Sequence, residues 1–286
     1  MPISESQLQT WANQGAVTTA KQTHESVRYA LDSSTWPQGV SYDIYLQGSY
    51  KNDTNIRGDS DVDIVVELTS AFWSNLTENE KESLGLTPAS YQWEEFRRDV
   101  LARLISYYGS AQVSEGNRAL KLAPSAGRLP ADIVVCGRYR WYSNLVPTAD
   151  GIILWARDSG RELVTYPKIH SEKCSHKNSQ TNTCFKPAVR MFKNARTYLV
   201  DRGVIDDKLA PSYFLECFIY NAPDGSFRSN FQSCYCDVLN WLREADYNSI
   251  RFPSYTASLF GNDDYQWSVE KAKKLLNLLV QLWNNS

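Results

Sequence analysis

Two aspartates one residue apart, Asp61 and Asp63, stand directly before the apolar end of the segment DVDIVVEL. This segment is rich in β-branched residues, which favours a buried β-strand. Side chains alternate between the two faces of a strand, so both carboxylates point to the same side. Like charges side by side cost free energy unless something neutralises them. The segment therefore predicts a sheet with a cation-binding edge.

Further residues fit the same site. Gly48 and Ser49 close the preceding predicted strand, where a residue without Cβ lets backbone N–H groups approach a phosphate and the hydroxyl adds a donor. The segment ADIVV places Asp132 at the start of another apolar strand. Three carboxylates at one sheet edge suit two Mg²⁺ ions, with Mn²⁺ as a substitute. Two such ions clamp the attacking and leaving oxygens of a phosphoryl displacement, so we expect a nucleoside triphosphate as substrate.

The order of predicted elements indicates an α/β lobe followed by a helical lobe, with the active site in a cleft. We place the catalytic lobe at residues 1–165, beginning with one long helix over residues 5–31, and the helical lobe at residues 166–286. The period-two and period-3.6 patterns predict strands at 40–47, 61–68, ALKLAP and ADIVVCGRY, a strand pair around DSG, and helices at 93–108, KPAVRMFKNARTYLVDRG, PSYFLECFIY, 231–245 and 268–283.

The motifs resemble the nucleotidyltransferase superfamily that includes polymerase β, poly(A) polymerase and oligoadenylate synthase. Its signature is a Gly-Ser, a short spacer, Asp-x-Asp and a third Asp on a neighbouring strand. The segments GSYKNDTNIRGDSDVDIVV, FKPAVRMFKNAR and PSYFLECFIYN together look like the bacterial cGAS/DncV-like nucleotidyltransferases, or CD-NTases. The resemblance implies a polymerase β-like lobe and a cyclic di- or trinucleotide second messenger, made from NTPs with release of pyrophosphate in anti-phage (CBASS) defence.

The resemblance also implies roles for individual residues. The catalytic and metal-binding residues are Asp61, Asp63 and Asp132, and Asp132 also helps to deprotonate the acceptor hydroxyl. The nucleotide-binding residues are Gly48 and Ser49 around the triphosphate, Lys193 on the triphosphate, Ser212 on a phosphate and Tyr213 stacked on the donor base.

Some of these residues have simpler interpretations. Lys193 could be an exposed helix lysine, Ser212 could cap its helix, and Tyr213 could belong to the core. Arg190, on the same predicted helix as Lys193, is expected to pair with a local acid.

Three other functions stay open. A linear product, as from an oligoadenylate-type synthase or from NMP transfer to a small molecule or RNA, would be sensitive to phosphatase. A catalytically silent nucleotide-binding scaffold would not need all three aspartates. An enzyme gated by RNA would lose activity after nuclease treatment.

The expected partners are NTPs, with ATP among them and the second base open, an activating RNA or protein, and a downstream effector that responds to the cyclic nucleotide. We expect a cytoplasmic monomer with reduced thiols. The N-terminus shows no signal peptide, no apolar run approaches the roughly 20 residues of a membrane span, and the six cysteines are scattered.

Two local features need weighing. His170, Cys174, His176 and Cys184 could bind zinc, although they lack the paired C-x2-C spacing of common structural sites. The segment from Arg157 to Arg202 holds ten Lys or Arg against four Asp or Glu, which fits either a phosphate-binding surface or a solvated helix face.

Overall fold

The computed structural model describes residues 2–58, 61–254 and 257–285. The strands are β1 Tyr42–Leu46, β2 Val62–Ser74, β3 Val113–Glu115, β4 Leu120–Leu122, β5 Ala131–Ser143, β6 Val146–Trp155 and β7 Glu162–Thr165. The α-helices are α1 Glu5–Ala12, α2 Thr18–Asp32, α3 Gly48–Asn52, α4 Glu78–Ser83, α5 Trp93–Tyr108, α6 Pro167–Gln180, α7 Phe185–Asp201, α8 Ser212–Tyr220, α9 Phe231–Glu244 and α10 Val269–Asn285.

The chain divides into two compact units, which we call the sheet unit and the helical unit. The sheet unit comprises Ala16–Tyr50 and Ser60–Lys168. The helical unit comprises Met1–Gly15, Lys51–Asp59 and Ile169–Ser286.

The sheet unit is built on one mixed seven-stranded sheet. Its main path runs β1-β2-β5-β4-β3, while β6 pairs with β5 and β7 pairs with β6. The central strands β2 and β5 are parallel, and the other pairings are antiparallel. Apolar residues of α2 and α5 pack against one face of this sheet. A smaller apolar cluster, which includes Val65 and Cys136, forms on residues of opposite parity, so it belongs to the other face.

The helical unit has its own apolar core, to which α1 and α6 to α10 contribute. Helix α7 ends near Gly203, whose φ of +67° is the left-handed conformation expected of a glycine after a helix C-terminus. Within the described residues, we find no helix with the length and apolar character needed to cross a membrane.

The prediction of one long N-terminal helix is wrong, because two helices, α1 and α2, occupy that stretch. The break falls around Gly15, whose N–H donates to the carbonyl of Asn55 at 3.1 Å. A Cβ on Gly15 would lie 2.5 Å from the carbonyl oxygen of Ile56. The chain is therefore tied at this point to a segment 40 positions away in the sequence, a contact that local periodicity cannot show.

Candidate active site

Two of the three predicted catalytic aspartates are direct neighbours in the sheet. Asp63 on β2 is the register partner of Asp132 on β5, one residue into each strand. Paired residues of neighbouring strands project to the same face. Because Val62 and Ile64 are fully buried in the core between the sheet and its helices, the two aspartates lie on the opposite face. Both are partly exposed.

Asp61 is the exposed residue immediately before β2. It lies two positions from Asp63, which brings a third carboxylate to the same end of the strand. The preceding Asp59 and Ser60 lie outside the described residues. The ammonium group of Lys121 offsets part of the local negative charge, since its Nζ lies 3.5 Å from Asp132 Oδ1. Both side chains of that pair are partly exposed, so water weakens the attraction.

Gly48 lies directly against Asp63. Its φ is +64°, and a Cβ at this position would lie 2.2 Å from Asp63 Oδ2. The backbone N–H of the preceding Gln47 donates to the Asp63 carbonyl at 2.9 Å. Both the conformation and the close approach therefore require a glycine here. Ser49, partly buried, is the next residue of the short helix α3.

The donor chemistry of this region fits the predicted cation. Asp61, Asp63 and Asp132 all offer carboxylate oxygens, which are the ligands that Mg²⁺ and Mn²⁺ favour. The catalytic roles of these three residues, and the phosphate-binding roles of Gly48 and Ser49, stay predictions.

Lys193 is buried within the helical unit. It is only 2% exposed, so the interpretation as an exposed helix lysine is excluded. Its ammonium donates to Glu216 Oε2 at 3.1 Å and to the carbonyl and hydroxyl oxygens of Thr54 at 3.2 and 3.3 Å. Its predicted contact with a triphosphate stays a prediction.

Ser212 and Tyr213 are the first two residues of α8. Tyr213 is 52% exposed as a whole residue, while burial raises the pKa of its hydroxyl group well above the usual value. Its ring is nearly parallel to those of His170 and Phe252, with centroids 5.5 and 5.9 Å apart. An exposed aromatic ring that packs on other rings suits the stacking of a nucleotide base. The assignment of Tyr213 to the donor base stays a prediction.

The possible zinc ligands come together only in part. Among the described residues, His170, Cys174 and Glu216 form a buried group whose ligand atoms all lie within 4.8 Å of one another. His176 and Cys184 are not members of that group. Three donors do not make the four-ligand set typical of structural zinc.

Many basic side chains between Arg157 and Arg202 have local partners. Ion pairs join Arg157 to Glu115, Lys168 to Glu67, Lys177 to Asp224, Lys186 to Asp53 and Lys193 to Glu216. Arg190 donates to the carbonyl oxygens of Ala12 and Asp53, and the charge of the Asp53 carboxylate also acts on it. Local pairing therefore explains much of this positive charge.

Sequence reasoning missed Glu216, the buried partner of Lys193. Burial opposes the ionisation of Glu216, but Lys193 and the hydrogen bonds from His170 and Thr54 outweigh it and hold its pKa well below the usual range. The signal was present in the sequence, because Glu216 is the one charged residue in the helix SYFLECFIY. A lone acid in an otherwise apolar helix indicates a buried and paired carboxylate.

Comparison with known proteins adds independent evidence. Residues 172–284 match the family model for the cGAS/DncV-like nucleotidyltransferase C-terminal helical domain. The chain is 48% identical to a cyclic UMP-AMP synthase from Rhodothermus marinus, covering 99% of this chain and 98% of that protein. It is 33% identical to the cyclic nucleotide synthase CdnE01 of Staphylococcus haemolyticus, with 99% of each chain covered.

Two solved structures of CdnE synthases are similar to this chain in fold. The structure of the Rhodothermus marinus CdnE c-UMP-AMP synthase with Apcpp and Upnpp matches 99% of this chain and 97% of its own, with a TM-score of 0.94 at 48% identity. The Elizabethkingia meningoseptica CdnE cyclic dinucleotide synthase with GTP and Apcpp matches 99% of this chain and 100% of its own, with a TM-score of 0.80 at 26% identity.

These matches confirm the predicted fold class, a mixed-sheet nucleotidyltransferase lobe with a helical C-terminal domain. They also confirm the prediction of an enzyme that makes cyclic nucleotides from nucleoside triphosphates. The chain therefore belongs to the cGAS/DncV-like nucleotidyltransferases.

Proposed function

We propose that this enzyme joins UTP and ATP into cyclic UMP-AMP and releases pyrophosphate. The base choice is supported by 48% identity, over 99% of the chain, to a protein named for that product. The chemistry is supported above all by one observation, the pairing of Asp63 with Asp132 on parallel strands beside Gly48.

In the proposed reaction all three carboxylates bind metal ions, and one of them also accepts a proton. Enzymes of this family typically use divalent metal ions, and we assign two Mg²⁺ ions, or Mn²⁺ in their place, to Asp61, Asp63 and Asp132. Bound there, the two ions would lower the pKa of the attacking ribose hydroxyl and neutralise charge on the leaving pyrophosphate. Asp132 accepts the proton of that hydroxyl, and its ion pair with Lys121 is weak enough to leave it available.

The remaining predicted residues bind the donor nucleotide in this proposal. Gly48 brings the backbone close to the triphosphate, and the Ser49 hydroxyl donates to it. Ser212 donates to a phosphate oxygen and Tyr213 stacks on the base, as its exposed ring allows. The Lys193 ammonium can contact the triphosphate only if it breaks some of its hydrogen bonds to Thr54 and Glu216.

The direct test is incubation of the purified enzyme with each NTP alone and with each pair of NTPs, in Mg²⁺ and in Mn²⁺. We expect ATP with UTP to give the most product, released with pyrophosphate and resistant to phosphatase because a ring has no terminal phosphate. A phosphatase-sensitive product would indicate a linear oligonucleotide synthase. A resistant product from other bases would keep the enzyme class and overturn the base choice.

We also propose that the enzyme is a cytoplasmic monomer of an anti-phage system whose product activates a downstream effector. Gel filtration coupled to light scattering tests the monomer. Loss of activity after nuclease treatment, and its recovery on adding RNA, would identify an activating RNA. Activity that is unchanged by nuclease would exclude one under those conditions.

A further inference from the structure

The carboxylate of Glu216 is the centre of a buried polar network in the helical unit. The residue is 3% exposed, and four side chains point at its two oxygens. Asn52 Nδ2 and His170 Nε2 lie 2.8 and 3.1 Å from Oε1. Thr54 Oγ1 and Lys193 Nζ lie 2.6 and 3.1 Å from Oε2. Two carboxylate oxygens offer about four lone-pair sites, so this network uses its full accepting capacity.

The network does not need a metal ion to explain it. Although His170 and Cys174 lie close to Glu216, the carboxylate is already neutralised by the Lys193 ammonium. Among the described residues the group supplies three donors, one fewer than a structural zinc site uses. A buried ion pair is also weak evidence for stability by itself, because well-packed apolar residues often stabilise a fold as much. The segments that the network holds in place therefore indicate its role better than its contribution to stability does.

One side of the network holds the chain that carries the phosphate-binding residues. Asn52 is the last residue of α3, the helix that starts with Gly48 and Ser49. Thr54 follows in the segment that leads towards Asp61. Asn52 and Thr54 are 4% and 0% exposed, and both donate to Glu216 from more than 160 positions away in the sequence.

The other side of the network holds the predicted base-stacking ring. His170 bonds to Glu216 through Nε2, and its ring stacks on Tyr213 with centroids 5.5 Å apart and planes inclined by 29°. The orientation of the His170 ring is thus fixed from within the helical unit. Tyr213, on the first turn of the same helix as Glu216, rests against it.

We propose that Glu216 is a positioning residue for nucleotide transfer. It fixes the end of α3 and the following loop through Asn52 and Thr54, and it fixes the ring behind Tyr213 through His170. This proposal rests on the proposed function, because the positioned groups are the ones assigned there to the nucleotide. In this proposal Glu216 acts through these neighbours and not directly on the substrate.

Two variants and a matched control test the proposal. Glu216→Gln keeps the side-chain size and removes the charge. Thr54→Val keeps the shape and removes a hydroxyl that donates to Glu216 and accepts from Lys193. Tyr235→Phe is the control, since it removes a buried hydrogen bond of the same unit, from the hydroxyl to the Leu279 carbonyl at 3.1 Å, without touching the network. All measurements are made well below the lowest melting temperature of the set.

Two readouts separate positioning from mere stabilisation. Amide hydrogen exchange over residues 48–58 should accelerate in Glu216→Gln and Thr54→Val and stay at the wild-type rate in Tyr235→Phe. The kcat at saturating NTP should fall about tenfold or more in the first two variants, because a small misplacement of reacting groups has effects of that size. The Thr54→Val/Glu216→Gln double variant should lose much less kcat than the two single losses combined, since both changes act within the one network around Glu216.

The outcomes differ for the two proposals. Wild-type exchange and wild-type kcat in Thr54→Val would overturn the positioning role, and this variant decides even if Glu216→Gln does not fold. Additive losses in the double variant would likewise overturn action through Glu216. A wild-type enzyme that makes no cyclic product from any NTP pair would overturn the proposed function, while the exchange data would still decide the positioning.

Discussion

At the scale of single residues, the site depends on a glycine that no other residue can replace without cost. Gly48 has a φ of +64° and lies where a Cβ would meet the Asp63 carboxylate at 2.2 Å. These are two separate requirements, because the first concerns the backbone conformation of Gly48 and the second concerns the space taken by the Asp63 side chain. Gly39, in the same unit, shares only the first requirement, because its φ is +85° but nothing lies within 4 Å of its Cβ position. It therefore serves as a control for the effect of backbone conformation alone.

We expect Gly48→Ala to abolish most nucleotide transfer and Gly39→Ala to leave it unchanged. Both variants should lose stability, by roughly 1 kcal/mol each, from the strain of an alanine at positive φ. Only Gly48→Ala also displaces the Asp63 carboxylate. Pyrophosphate release and thermal melts of both variants check this, and full activity in Gly48→Ala would contradict the close approach.

The ionised Glu216 should make the free energy of unfolding depend on pH. Its pKa in the folded protein lies well below the usual 4.5, because the attraction of Lys193 and the hydrogen bonds around the carboxylate outweigh the cost of burial. In the unfolded chain the carboxyl takes up its proton near the usual value, so the stabilisation is complete above about pH 4.5 and is lost as pH falls towards the folded pKa.

We therefore expect Glu216→Gln to be less stable than wild type at neutral pH but to lose less further stability on acidification. The free energy of unfolding, measured by denaturant titration at steps between about pH 6 and pH 3, should fall less steeply for the variant. Parallel curves for the two proteins would show that Glu216 is not held ionised by its surroundings.

At the scale of elements, a second buried carboxylate joins three strands and a helix. Glu67 on β2 is 2% exposed and accepts from Tyr45 on β1, Arg138 on β5 and Lys168 on α6, at 2.9, 2.9 and 2.8 Å. Hydrogen bonds from Lys168, Arg138 and Tyr45 outweigh the effect of burial and lower the pKa of Glu67. This residue links β1, β2 and β5, and β2 and β5 carry the predicted catalytic residues Asp63 and Asp132.

We expect Glu67→Ala to destabilise the protein by about 2 kcal/mol, because three donors lose their acceptor. The loss is smaller than for a fully buried pair, since Arg138 and Lys168 are partly exposed and can turn to water. Asp150→Ala is the matched control, because its pair with Arg140 is longer, 3.7 Å, and Asp150 is 70% exposed. Denaturant unfolding that gives equal losses for the two variants would remove Glu67 from this role.

Sequence patterns predicted the elements whose burial is apolar. Helix α5 occupies 93–108 as predicted, and β2, β5 and α7 follow their β-branched or amphipathic patterns. Helix α6 was missed because its buried positions, His170, Ser171 and Cys174, are polar or small, so hydrophobic periodicity carries no signal there. The Asp63–Asp132 pairing was foreseen from strand starts, whereas the Glu216 network depends on contacts across more than 160 positions, which local patterns cannot contain.

At the scale of the whole molecule, neither unit is one continuous segment. The chain passes between the units at residues 15–16, 50–51, 59–60 and 168–169. The helical unit thus takes α1 and residues 51–59 from the N-terminal half of the chain. Leu8 of α1 belongs to its core, and Asn52 and Thr54 satisfy Glu216.

For this reason we expect a fragment of residues 166–286 not to fold on its own. It would expose the core face covered by α1 and leave Glu216 with fewer donors in a buried position. Circular dichroism should show no cooperative thermal transition for the fragment, while the full chain shows one. A fragment with a sharp transition would mean that the N-terminal segments are dispensable for that unit.

Function and stability of the whole protein should be opposed at the three predicted catalytic aspartates. Asp61, Asp63 and Asp132 gather negative charge at one end of two central strands, only part of which is offset by Lys121 at Asp132. We therefore expect their repulsion to disfavour the folded state without bound cations. Asp63→Asn keeps the shape and removes one charge. In the absence of metal we expect this variant to melt at the wild-type temperature or above, while nucleotide transfer is lost. Such a trade is common, because charges needed for chemistry are poorly placed for folding.

Mg²⁺ with a nonhydrolysable ATP or UTP analogue should raise the melting temperature of wild type far more than that of the variant, since a ligand at 100 times its Kd stabilises by about 2.7 kcal/mol. Thermal melts with and without ligand, beside a pyrophosphate-release assay, test both parts. Wild-type turnover in Asp63→Asn would place the metal site elsewhere, and a variant that melts well below wild type without metal would make Asp63 a structural residue as well.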